Sequence, residues 1–161
     1  MYSVTMQNQT IVADATLVII HTDSTLATGG STIEILRAWV GNQTTEASDQ
    51  LGIILGSKVT AFGTYTSTTP VGHFVDGRVS GIVGGTAGAE GTAGTDASAE
   101  GAGAVTPIIY DGFNNLNGWL WVPVPEERII LTSDKAIVLK IVGTPAVLTG
   151  WSAGITYHEL N

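Results

Sequence analysis

The chain has no cysteine, which excludes disulfide staples, thiolate chemistry and Cys-ligated zinc or iron–sulfur centres. Charge is scarce too: Asp, Glu, Lys and Arg make up 12% of 161 residues, about half the usual share. Six Lys and Arg stand against 14 Asp and Glu, giving a net charge of −8. A surface that tracks phosphates needs the opposite sign, so non-specific nucleic-acid binding is excluded. Long apolar runs are missing, and the early run Leu17–Ile20 is far too short to cross a membrane. The opening Met1-Tyr2-Ser3-Val4-Thr5-Met6 lacks the basic start and apolar centre of a secretory signal. The expectation is a chain that stays where it is made or leaves by a route needing no signal.

Recognisable catalytic strings are absent as well. There is no Gly-x-Ser-x-Gly, His-Glu-x-x-His, Walker loop or EF-hand pattern. His21, His73 and His158 lie far apart without metal-ligand spacing, so no catalytic, cofactor or metal residue is assigned. Glu126 and Glu127 are adjacent; on a strand they point to opposite faces and cannot share a proton. One of them is expected to pair with Arg128. Asp76, Asp96 and Asp111 sit in Gly-rich stretches, where Asp serves turn geometry.

What the chain does have is 43% hydrophobic residues and 21 glycines. The apolar residues recur with period two or in short runs, which predicts strands and no helix. Strands are expected near Tyr2–Met6, Thr16–His21, Thr32–Val40, Leu51–Val59, Val105–Tyr110, Gly118–Val124, Arg128–Leu131, Ala136–Val142 and Trp151–Leu160. Turn signals such as Gly41-Asn42, Asn117-Gly118 and Gly143-Thr144-Pro145 separate them. Eight or nine short strands so spaced predict one all-β domain over residues 1–161, an antiparallel sandwich or barrel.

In the last strand Trp151, Ala153, Ile155 and Tyr157 fall on one face, and Ser152, Gly154, Thr156 and His158 on the other, predicting a dry and a wet side. Ile33–Val40 and Ala136–Val142 instead carry apolar groups on both faces. Each therefore needs a cover for its outside, either a neighbouring subunit or a long loop folded back. From Ser80 to Ala104, Gly and Ala hold 15 of 25 positions. Residues 80–104 are therefore expected to form a flexible Gly/Ala-rich insertion loop, with Gly84–Gly103 dispensable for folding, because Gly and Ala bury little area against the entropy of ordering them.

The string Gly118-Trp119-Leu120-Trp121-Val122-Pro123-Val124-Pro125-Glu126-Glu127-Arg128 is the most informative. On an extended chain Trp119, Trp121, Pro123 and Pro125 share one face, and Leu120, Val122 and Val124 the other. Two prolines delete two N–H groups on one lateral side, so the segment must be an edge or a departing strand there. The two Trp rings suit a core, a subunit contact or a sugar-stacking platform.

Met1-Tyr2-Ser3-Val4-Thr5, Arg37-Ala38-Trp39-Val40-Gly41, the Gly118–Ile129 string and Tyr157-His158-Glu159-Leu160 together resemble small proteins of tailed-bacteriophage structural gene clusters. The chain is similar to capsid cement or head-decoration proteins with a jelly-roll-like β-sandwich. The resemblance implies a non-enzymatic virion protein on the capsid exterior, assembled in the host bacterial cytoplasm. It implies a homo-oligomer, most often a trimer, that contacts the major capsid protein and bridges capsomers, without cofactor, nucleic acid or membrane. Candidate interaction residues are Trp39, Trp119, Trp121, Pro123, Pro125 and Arg128. The alternative is a tail- or fibre-associated sandwich, or a carbohydrate-binding module using Trp119 and Trp121.

Overall fold

The computed structural model of the chain describes residues 1–22, 32–44, 47–60, 62–73, 80, 93–132 and 135–160. Among them are strands β1 (Tyr2–Gln9), β2 (Thr16–His21), β3 (Ile33–Asn42), β4 (Gln50–Lys58), β5 (Thr64–Ser67) and β6 (Val71–Gly72). The series continues with β7 (Ala93–Ala99), β8 (Val105–Asn114), β9 (Trp119–Trp121), β10 (Ile129–Leu131), β11 (Ala136–Val142) and β12 (Trp151–Glu159). They build two six-stranded antiparallel sheets. Sheet A runs β10-β3-β12-β1-β6 with β9 also on β3, and sheet B runs β5-β7-β2-β11-β4-β8. The all-β sandwich is as expected, and all nine expected strands are present. β5, β6 and β7 are additional.

The core follows from the alternation. Trp151, Ala153, Ile155 and Tyr157 of β12 face Leu17, Ile20, Ile137, Leu139 and Ile141 of sheet B in one buried cluster. Trp151 meets Phe113 edge-on at 6.4 Å between centroids, and Tyr157 stacks on Tyr2 at 5.7 Å. Each buried side chain of this size contributes roughly 1.5–3 kcal/mol.

The outer side of β12 departs from the expected wet face, since Ser152 and Thr156 are buried. β12 is central in its sheet, and its neighbours close over it. The Trp39 ring lies across Gly154, where a Cβ would come within 2.6 Å of Trp39 Nε1. Ser152 Oγ accepts the Asn8 N–H at 3.0 Å, and Thr156 Oγ1 lies 2.9 Å from Ser3 Oγ.

The two strands that are apolar on both faces find different covers. On the outer side of sheet B, Ala136, Val138 and Ile19 form a second buried cluster beneath Phe62, Tyr65 and Val105 of the same chain. On the outer side of sheet A, Leu36 and Trp39 of β3 are only half-buried.

The expected flexible loop over 80–104 is corrected at its C-terminal part. Ala93–Ala99 is strand β7, an internal strand between β5 and β2, and Ala93 and Ala97 are buried. Residues 81–92 lie outside the described residues. The physical reason is close approach rather than side-chain area. The Tyr65 ring lies so near Gly94 that any Cβ there would overlap it, and a Cβ at Gly103 would overlap the Thr60 carbonyl. Asp96, expected to serve a turn, takes a left-handed φ of 53° where the β5–β7 register shifts, a conformation Asp tolerates.

Two predictions follow from this packing. Gly94→Val drives Tyr65 off β7 and destabilises the fold by about 1–3 kcal/mol, which thermal unfolding reads as about 2–4 °C per kcal/mol. Gly41→Ala, where a Cβ meets nothing within 4 Å, leaves melting unchanged. The second concerns Tyr157, whose hydroxyl is held well above its ordinary pKa of 10.0 by burial, with its bond to Ser80 partly opposing. The unfolded chain loses this proton near pH 10 while the folded chain keeps it. Tyr157 therefore favours folding fully below pH 10 and progressively less above it. Melting measured from pH 8 to 11 should fall more steeply above pH 10 in the parent chain than in Tyr157→Phe.

Candidate functional site

The turn that launches β9 is built by two residues. Asn115 is buried; its Oδ1 accepts the Asp49 N–H at 2.9 Å and its Nδ2–H donates to the Ala47 carbonyl at 3.0 Å. Gly118 has φ +69°, and a Cβ on it would sit 2.7 Å from the Val40 carbonyl oxygen, so glycine is required. β9 then pairs Trp119 with Val40, Leu120 with Trp39 and Trp121 with Ala38. Its ladder ends at Trp121, as the missing N–H groups of Pro123 and Pro125 dictate. A 3₁₀ turn over Pro125–Glu127 follows, and β10 resumes on the same edge of β3, pairing Ile129 with Ile35.

The candidate residues separate onto two sides. Trp119 and Trp121 are half-buried and pack against the core cluster, and Pro123 is buried. The Trp119 Nε1–H donates to Asp111 Oδ2 at 3.1 Å; this bond and the Gly112 N–H hold the Asp111 carboxyl below its ordinary pKa. Trp39 lies half-buried on the outer face, and Pro125 is exposed where the turn begins. Arg128 does not pair with Glu126 or Glu127. Its Nη1–H meets Glu34 Oε2 at 3.4 Å on β3, because the 3₁₀ turn carries both neighbouring carboxylates away into solvent.

The opposite side of the same alternation forms the exposed surface. Leu120 is 63% exposed, Val122 62%, Val124 55% and Ile130 53%. Beside them lies a shallow, largely apolar hollow of about 350 Å³, lined by Met1, Leu36, Arg37, His73, Val122 and Thr156. Tryptophan size drew the sequence reading to the inward face, although the outward row was visible in the same period.

Next to this hollow, Ser3 Oγ lies 2.7 Å from His73 Nε2, a distance that suits a nucleophile and its base. The hydroxyl is buried and also bonded to Thr156, and no carboxylate orients the His73 ring among the described residues. These contacts act as a polar staple joining β12, β1 and the end of β6. A second hollow of about 390 Å³ lies beside Asn42, Asn117 and Trp119. The Asn42 amide there is spent on the Thr149 carbonyl and the Thr44 N–H. Among the described residues, no three His, Asp or Glu side chains converge as metal ligands would. No family model matches the chain, and no curated protein or solved structure matches it.

Trp119→Ala should lower stability by about 2 kcal/mol, the cost of a cavity and a lost hydrogen bond at a half-buried ring. Leu120→Ala, on the exposed side, should leave the stability of the dissociated single chain within about 0.5 kcal/mol of the parent's. Denaturant unfolding of the two variants checks the assignment of faces.

Proposed function

We propose that this chain is a non-enzymatic structural protein of a tailed-phage particle, a cement or decoration protein on the capsid exterior. In this reading it binds the major capsid protein, bridges neighbouring capsomers and associates with its own copies. The observation that carries the proposal is the asymmetric cover of the sandwich. One sheet has its central strands covered by the chain's own segments, while the other presents the row Leu120, Val122, Val124 and Ile130 to a protein neighbour. The sequence resemblance supplies the phage context. The net charge of −8 suits a protein kept apart from packaged DNA.

The carbohydrate-module reading has less support, since its two stacking rings, Trp119 and Trp121, turn toward the core. Particle imaging separates a tail or fibre seat from one on the capsid. Cryo-electron microscopy of the parent particle should place density for this chain on the capsid surface, between capsomers. Particles carrying the chain only on the tail, or lacking it, would contradict the cement role.

A further inference from the structure

We infer that the outer face of sheet A along the β9–β10 edge is the surface through which copies of this chain bind one another. This deepens the proposal above, resting on it for the expectation of self-association, and names the residues involved. Leu120, Val122, Val124 and Ile130 are each more than half exposed. Together they offer roughly 400 Å² of apolar area, against the roughly 500 Å² that one side of a standard homo-oligomeric interface contains. Half-buried Leu36 and Trp39 lie on the same face and supply the remainder.

Two features select a second copy as the occupant. The first is charge. Arg37 is exposed beside the hollow without a carboxylate partner among the described residues, while Glu126 and Glu127 stand exposed in the turn between β9 and β10. A cation and a pair of anions thus flank one apolar row, an arrangement complementary to itself. The second is shape. The protruding row and the hollow beside Leu36 and Val122 share one face, so copies related by a rotation axis can each seat the row in the other's hollow.

The test is sedimentation of the full chain from 1 to 100 μM, with melting measured in parallel. The parent chain should sediment as a species larger than 16.6 kDa. Leu120→Glu with Val122→Glu should weaken association by about 100-fold or more, as central hot-spot residues do, while the variant still unfolds cooperatively as a folded single subunit. Arg37→Glu should weaken it about tenfold, and adding Glu126→Arg and Glu127→Arg should restore it, a rescue that only a self-contact allows. A 16.6 kDa parent species throughout, an intact oligomer in the double Glu variant, or failure of the rescue would each overturn the inference. Particle imaging keeps this separate from the functional proposal. A monomeric chain found on capsids defeats only the self-contact, and an oligomer absent from particles defeats only the cement role.

Discussion

The asymmetry of this sandwich depends on how Glu100 is held. Its carboxylate accepts the Thr16 N–H and, at 2.7 Å, the Thr16 hydroxyl, and lies 3.0 Å from the Lys140 ammonium. Its backbone carbonyl accepts a hydrogen bond from Lys58 Nζ. Lys58 is almost wholly buried, and burial lowers its pKa while Glu100 opposes the shift. A buried ammonium is tolerated only when partnered in this way. Three strands, β2, β11 and β4, are thereby tied to the residue that follows β7. β7 leads directly into Glu100, and residues 100–104 then carry the chain past β2, β11 and β4 to β8 at the far edge of sheet B.

Once that segment is fastened, the rest of the cover follows. β5 pairs along β7, the Tyr65 ring settles over Gly94, and Ala136, Val138 and Ile19 are closed off from water. Sheet B therefore covers its central outer residues within one chain, while Ile108 and Tyr110 of its edge strand β8 remain exposed. No equivalent strap crosses sheet A among the described residues. Its outer face is closed at β12 by Trp39 and the Ser3–Thr156 pair, then left open toward β9 and β10. The central strands of sheet B are thus covered by the chain itself, while sheet A is open toward β9 and β10.

Much of this was legible in the residues. Strands with large apolar residues at period two, such as Ile33–Val40 and Trp151–Tyr157, announce themselves because burial of those side chains dominates the energetics. The departure of the chain after Trp121 was legible from two missing proline donors. β7 was not, because Ala93, Thr95 and Ala97 bury little area and their glycines read as flexibility. The signal that was present, a Gly beside a Tyr-bearing strand, becomes meaningful only once the two segments are known to pair. Likewise Arg128 has Glu127 next to it in sequence, yet a 3₁₀ turn separates them and strand pairing delivers Glu34 instead. Local adjacency misled there, and long-range register decided.

Amide hydrogen exchange along Ala93–Thr95 tests the fastening of this segment most directly. These three residues are paired with Ile20, Ile19 and Val18 of the fully buried strand β2. The expected result is slowing by roughly a thousandfold or more relative to an unfolded chain, in step with the amides of β2. Exchange at the unfolded rate, with β2 still protected, would mean that the Gly/Ala-rich segment is not a strand of the sandwich and that sheet B has no cover of its own.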